Sequence, residues 1–325
     1  MSNQKIILWV SLGVGLPLFV YILSTVNVDK AQNTITSIEP FTLLAYVAFS
    51  LLTLITYTIV WRVFLCSYHD DFYENPVRLF NYRLVGFALS YVTPGPRFGG
   101  EITRGSLIST TTQASQKTGT IAAAMEMFAI FVAGLIFDIS VILIGLITLP
   151  KVWLLQLGLI VLVGLAFIAF IGWYGFYIRN SGYRLIDIVS RFLQLPDTFM
   201  DTNDKEPENY LQGHGNAFGV GVLLCLLTKL FIAAQMYVLF LGLNIPITIL
   251  QAFLLTATVD IAYSIPSYMG LGALEAGYSG IVSILGVSGS GGGVIVAFIT
   301  RIRDIIFSGY GLLALGYYTQ NGDSG

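Results

Sequence analysis

"YVTPGPRFGGEITRG", residues 91–105, interrupts an apolar chain with two prolines, four glycines, two arginines and one glutamate. Such a stretch is either a polar loop joining membrane helices or a deliberate break at membrane depth, and the choice decides the fold. The surroundings set the terms. Hydrophobic residues make up 55% of the 325 and charged residues only 10%. Mean hydropathy is +0.78. A soluble domain carries about 25% charge, so this chain reads as an all-α polytopic membrane protein, a single transmembrane domain over 1–325. A formal net charge of −2 is uninformative, and no basic stripe supports nucleic-acid binding.

Full-length apolar segments run at 6–26, 41–65, 118–149, 152–177, 215–242 and 289–318. About 20 residues cross the hydrocarbon core, which gives about six spans. The first, after Lys5, lacks a small-x-small cleavage site and reads as a retained span rather than a signal peptide. Two regions break the pattern, 79–115 and 247–286. Each holds two half-length segments around a proline–glycine break, the second being "IPSYMGLGALEAG" at 265–277 followed by "YSGIVSILG".

Positive charge orients the spans. Arg62, Arg78 and Arg83 gather around the end of the second span, whereas 27–40 holds only Lys30. Residues 66–80 and the N-terminus are therefore expected in the cytoplasm. If 79–115 enters and returns, Arg78, Arg83 and Lys117 stay on that side, Lys151 alone lies outside, and Arg179, Arg184 and Arg191 return inside. Charge bias thus favours a re-entrant hairpin at 79–115. The same reasoning makes 247–286 a hairpin from the outer face and brings the C-terminus inside. Span–hairpin–span then occurs twice, at 41–149 and 215–318, in opposite orientation: an inverted repeat with two opposed re-entrant helical hairpins, the arrangement around which many transporters build their sites. The polar stretch at 179–213 is expected to be a cytoplasmic loop, and the protein is expected to be multi-pass in the cell membrane.

A charge at the bilayer centre costs at least about 2.5–3.5 kcal/mol. Even so, Glu126, Asp138, Lys229, Asp260, Glu275, Arg301, Arg303 and Asp304 all lie within apolar segments. Arg97, Glu101 and Arg104 join them if the first hairpin is re-entrant. Each needs a partner or a wet cavity. Arg301 and Asp304, three apart, share a helix face, as an ion pair there would require. Glu126 and Asp138 lie on one side of a single helix. Pro94, Pro96 and Pro266 break the hairpin helices. Gly99, Gly100, Gly270 and Gly272 permit the turns. The freed amides after each break can bind an anion, and with Arg97 and Arg104 beside them that anion is read as a phosphate, as in a lipid headgroup. The alternative is that the glycines only allow tight packing and the arginines pair with Glu101, Glu126 or Glu275.

Other features point to less. Cys66 and Cys225 read as buried thiols rather than a disulfide or metal pair. His69 and His214 lack neighbours at metal-ligand spacing, so no metal is expected, nor any cofactor. "SGSGGG" at 288–293 lacks the Walker lysine and reads as a turn.

"PGPRFGGEITRG" (94–105) resembles the P-x-R-x-G-E-x-x-R signature of the flippase-like membrane family, which includes the membrane region of lysylphosphatidylglycerol synthases. "MEMFAIFVAGLIFD" (125–138) offers Glu126 where that family has an acid in the next span, although methionine replaces its arginine. Pro266, Gly270, Gly272 and Glu275 match a late P-x-P-G-G-x-G-x-x-E pattern, with "SYM" departing from it. Gly286, Val287 and Arg301 match the family's G-V and its arginine in the last span. The resemblance covers nearly the whole chain. It implies a flippase or transporter for a phosphate-containing lipid: aminoacyl-phosphatidylglycerol, another phospholipid or an isoprenoid-phosphate-linked sugar. Arg97, Arg104 and Arg301 would be its counter-charges. Glu101, Glu126 and Glu275 would position the arginines or relay a proton. No soluble aminoacyl transferase segment is present, so no lysyl transfer and no catalytic residue is expected, and a separate lipid-modifying enzyme is a candidate partner. Two other classes stay open: an intramembrane enzyme acting on lipid-linked phosphates, and a structural or regulatory membrane subunit whose charges only hold helices together.

Overall fold

The computed structural model describes residues 38–68, 72–92, 100–148, 215–264, 273–284 and 292–321. The expected spans at 6–26 and 152–177, the 179–213 loop and the two proline–glycine tips lie outside the described residues. The chain divides into two units, 1–141 with 216–325, and 142–215. Among the described residues, the second unit holds only the last residues of one helix and the first residue of another. The packing and the charge networks belong to the first.

Eight α-helices and no strand occur among the described residues: α1 (Pro40–Tyr68), α2 (Pro76–Val92), α3 (Gly100–Thr111), α4 (Gln116–Thr148), α5 (Gly215–Gly242), α6 (Ile249–Ser264), α7 (Ala273–Ile284) and α8 (Gly292–Asn321). Local chemistry sets their ends. Pro76 opens α2 behind Asn75, whose Oδ1 accepts from the Val77 amide at 2.9 Å. This combines an Asx cap with a proline whose missing N–H costs nothing there. Thr248 and Gln251 exchange side-chain and backbone hydrogen bonds of 2.7 and 3.3 Å at the start of α6, a capping box. The end of α5 closes through Asn244 at φ 56. The Ile245 amide donates to the Phe240 carbonyl and the Asn244 amide to that of Leu241, a Schellman cap with asparagine in the left-handed position.

By length and composition, α1, α5 and Gln116–Gly145 of α4 can each cross a membrane. The first, 29 residues long, is roughly 43 Å at 1.5 Å per residue. The 12-residue α3 and α7 reach only roughly 18 Å, short of the roughly 30 Å core. The first four helices run 29, 17, 12 and 33 residues. The last four run 28, 16, 12 and 30 in the same order.

The exterior is apolar, and the largely apolar interior also takes in hydroxyl and charged side chains. On α1, Leu44, Val47, Leu51, Ile55 and Ile59 are exposed while Ser50, Thr53, Thr56 and Thr58 are buried. Those four hydroxyls donate to carbonyls four residues back at 2.8–3.0 Å, and Gln235 on α5 donates to Ser50 at 2.8 Å. This distribution suits a lipid surround, where apolar exposure costs nothing and every polar group needs an internal partner.

Contacts fix the helix directions. Helices α1 and α5 run antiparallel, since Thr42 sits beside Gly242, Ser50 bonds Gln235 and Phe64 meets Gly221. Helices α2 and α3 also form an antiparallel pair: Ser90 Oγ accepts from the Gly100 amide at 3.0 Å, and Tyr82 Oη donates to Thr111 Oγ1 at 3.3 Å. A Cβ on Gly100 would lie 2.1 Å from the Gly86 carbonyl oxygen, so this crossing requires glycine. Helix α8 lies antiparallel on α2, joined by Asn81–Tyr318 at 3.0 Å and by a Phe87–Phe307 ring contact. It also packs on α7, which packs on α6.

Candidate functional site

The first buried charge network joins four helices. Glu126 on α4 is fully buried. Its Oε2 accepts from Arg104 Nη1 of α3 at 2.6 Å, and its Oε1 pairs with Arg83 Nη1 of α2. Arg104 Nη2 stands 3.8 Å from Glu101 Oε1, an ion pair within the first turns of α3. Both guanidinium groups lie over aromatic rings of α1, Arg83 at 5.1 Å from the Tyr57 centroid and Arg104 at 4.9 Å from that of Trp61. Two arginines and two glutamates balance to zero, yet Glu101 Oε2 is buried and accepts no hydrogen bond.

A second network lies between α7 and α8. Glu275, in the first turn of α7, is buried. Arg301 grips it with two parallel bonds, Nη2 to Oε2 at 2.9 Å and Nε to Oε1. The helix-face pair of Arg301 with Asp304, expected from spacing, is not the contact that forms. Asp304 instead takes Arg303 at 2.7 and 3.0 Å, and Arg303 lies over the Tyr46 ring at 5.7 Å. The reason is geometric: Arg301 can reach a planar bidentate partner across to α7, and that fork is stronger than a single contact along one helix.

The third buried cation, Lys229 on α5, holds Asp260 of α6 at 2.5 Å. Glu126 and Asp138, placed on one side of α4 by their spacing, therefore serve different partners. Glu126 meets the two arginines, while Asp138 lies one turn beyond Gly134, where a Cβ would stand 3.7 Å from Lys229 Nζ.

Of the site residues expected from sequence, Gly100, Glu101, Arg104, Glu126, Glu275 and Arg301 are described. The structure brings Glu101, Arg104 and Glu126 together, and pairs Glu275 with Arg301. Arg97, Gly99, Gly270, Gly272, Pro94, Pro96 and Pro266 lie outside the described residues. The alternative in which glycine allows close packing and the arginines pair with glutamates describes the observed contacts of Gly100, Arg104 and Arg301. Sequence reasoning missed three participants. Arg83 served only as a flanking charge for orientation, and Tyr57 and Trp61 were not singled out within the apolar segment 41–65. Their four-residue spacing, which stacks two rings on one helix face, was the available signal. Cys66 and Cys225 are both free thiols.

Helices with apolar exteriors, three of them long and apolar enough to cross a membrane, and paired buried charges define an integral membrane protein. The family described as Lysylphosphatidylglycerol synthase TM region matches residues 8–310, and the chain belongs to that family. The family's description names a membrane lipid, consistent with a lipid-related function in the membrane. No curated protein and no solved structure matches the chain.

Proposed function

We propose that the protein is a non-catalytic lipid transporter that moves a phosphate-containing lipid across the cell membrane, its headgroup exchanging onto Arg83 and Arg104. The carrying observation is that two arginines share one fully buried carboxylate, Glu126, beside a glutamate with an unsatisfied oxygen. Desolvating an arginine costs several kcal/mol, and in this network that cost is met within the folded protein. A phosphodiester headgroup presenting two unesterified oxygens can take the place of Glu126 on both guanidinium groups, since arginine forks match phosphate and carboxylate alike. The exchange is reversible because the carboxylate returns when the lipid leaves.

Two helix series of equal order, with α1 and α5 antiparallel, support an inverted repeat over 41–149 and 215–318. The half-length pairs α2–α3 and α6–α7 are its re-entrant hairpins, and rocking one repeat against the other supplies alternating access. Arg301, held by Glu275, is the second counter-charge. Both termini lie in the cytoplasm by charge bias, and a separate lipid-modifying enzyme would supply the lipid.

The test is headgroup translocation in proteoliposomes carrying fluorescent phosphatidylglycerol. Wild-type protein should move the lipid, and Arg104→Ala and Glu275→Ala, purified as monodisperse proteins, should slow it at least about tenfold, a loss of about 1.4 kcal/mol. Wild-type rates in both variants would remove the site. Mass spectrometry of the recovered lipid covers the enzyme reading, which a covalently altered product would favour.

A further inference from the structure

Beside Arg104 the first network leaves a buried donor and a buried acceptor unmatched. Trp61 of α1 is fully buried and Glu101 of α3 nearly so, and neither Trp61 Nε1 nor Glu101 Oε2 makes a hydrogen bond. Both residues touch the same guanidinium. Arg104 Cζ lies 4.9 Å from the Trp61 ring centroid, and Arg104 Nη2 stands 3.8 Å from Glu101 Oε1. A polar atom kept from water without a partner costs free energy, so folded interiors leave few of them. Helix α1 does satisfy its buried hydroxyls at Ser50, Thr53, Thr56 and Thr58 through its own carbonyls.

The two atoms have opposite needs. An indole N–H only donates, and an ionised carboxylate only accepts. An anion with acceptor oxygens alone would satisfy Trp61 and set a second group of lone pairs against Glu101. A ligand that answers both atoms carries an acceptor and a donor a few bonds apart. A phosphodiester of a polyol or an amino alcohol has this form, with acceptor oxygens on phosphorus and an O–H or N–H on the esterified alcohol.

We propose that Trp61 and Glu101 select lipids whose phosphodiester headgroup itself carries a hydrogen-bond donor, a hydroxyl or an N–H. Trp61 Nε1 donates to an unesterified phosphate oxygen beside Arg104. Glu101 Oε2 accepts from the O–H or N–H of the alcohol on the same phosphate. A headgroup of equal charge that lacks the donor leaves the Glu101 oxygen buried and unmatched, and a site built around a polar partner rejects the analogue without it. This deepens the transport reading and rests on it in one respect, that a lipid phosphate exchanges onto Arg83 and Arg104.

The test is competition for fluorescent phosphatidylglycerol bound to the full-length protein in detergent micelles. Two pairs of competitors hold charge fixed and differ in the donor: phosphatidylglycerol against phosphatidylethanol, and phosphatidylethanolamine against phosphatidylcholine. With wild-type protein the donor-bearing member of each pair should compete about tenfold better, the scale of one hydrogen bond to a charged group. Glu101→Met, similar in length and without an acceptor oxygen, should bring both ratios near one. Glu101→Gln keeps an acceptor without the charge and should retain part of the preference for phosphatidylglycerol. Trp61→Phe keeps a ring under Arg104 and loses the N–H, so it should weaken all four lipids by a similar factor and leave both ratios standing. Equal competition within either pair in the wild type, which needs no variant to fold, would overturn the selection and leave the phosphate reading intact. Ratios unchanged in Glu101→Met would remove Glu101 from the site, and affinities unchanged in Trp61→Phe would remove Trp61. A wild-type protein that binds no fluorescent lipid would take down the phosphate reading and this inference together. Selective binding without lipid movement in proteoliposomes would sink the transport reading alone.

Discussion

The helices α1–α4 and α5–α8 repeat one series of lengths, yet they place their charges in opposite senses. In the first series the short helix α3 brings the arginine, Arg104, and the long helix α4 brings the glutamate, Glu126. In the second the short helix α7 brings the glutamate, Glu275, and the long helix α8 the arginine, Arg301. The second pair is a closed fork, both oxygens of one carboxylate matched to one guanidinium. The first is crowded, two guanidinium groups on one carboxylate with an unsatisfied Glu101 oxygen alongside. The same series of helices thus builds one network in which two guanidinium groups share a carboxylate and one in which a single guanidinium takes both oxygens. That contrast is open to direct test.

The largest effect belongs to the hub of the crowded network. Glu126→Ala removes the shared partner of Arg83 and Arg104, and breaking a buried pair from one side costs about 3–5 kcal/mol. Thermal unfolding in detergent should show a large drop or loss of folded protein, and a value near wild type would mean that the arginines do not depend on Glu126.

Next comes the packing that brings the network together. A Cβ at Gly100 meets the Gly86 backbone at 2.1 Å, whereas Gly280 on α7 has nothing within 4 Å. Gly100→Ala should cost at least about 1–3 kcal/mol through overpacking, while Gly280→Ala should be neutral or gain up to about 1 kcal/mol of helix propensity. Equal unfolding temperatures for the two would show that α3 does not depend on close approach to α2.

How much of this was legible in the sequence differs by level. Helices α1, α4 and α5 follow from unbroken apolar runs, and their ends fall within three residues of the expected limits, because hydropathy over about 20 residues is a strong signal. The half-length helices were legible from Pro94, Pro96 and Pro266, which cannot continue a helix. Pair identities were not. Arg301 and Asp304 are neighbours by spacing, but the bidentate partner Glu275 is 26 residues away, and only tertiary packing brings it near. Arg83 lies in the middle of the 17-residue α2, and in the sequence it counted only as a flanking charge that orients the spans. Lys229 and Asp260, 31 residues apart, were recognisable as misplaced charges but not as partners.

The closed fork makes a finer prediction. Arg301→Lys keeps the charge and loses one of two directed bonds to Glu275, since an ammonium cannot reproduce the planar fork. A charge-assisted hydrogen bond is worth about 1.5–3 kcal/mol, and the remaining contact recovers part of it, so a loss of about 1–2 kcal/mol is expected. Unfolding with Glu275→Gln in a double-mutant cycle checks it. A coupling energy near zero would show that the second pair is no clamp.

The smallest stability effect should come from Glu101, and it bears most directly on the contrast between the networks. Glu101 Oε2 accepts nothing, and Oε1 stands 3.8 Å from Arg104, too far for a hydrogen bond. Glu101→Gln keeps the shape, removes a buried charge with weak compensation and gives the unsatisfied position an amide. Stability should therefore change by no more than about 0.5 kcal/mol, with either sign allowed by the lost attraction to Arg104 and the removed desolvation penalty. Lipid movement should respond more than stability, because the amide leaves the Arg83–Arg104–Glu126 cluster with excess positive charge and should hold a phosphate longer. A Glu101→Gln protein that unfolds several degrees lower than wild type would show Glu101 to be a structural member of the network, and the two networks would then differ in geometry without differing in role.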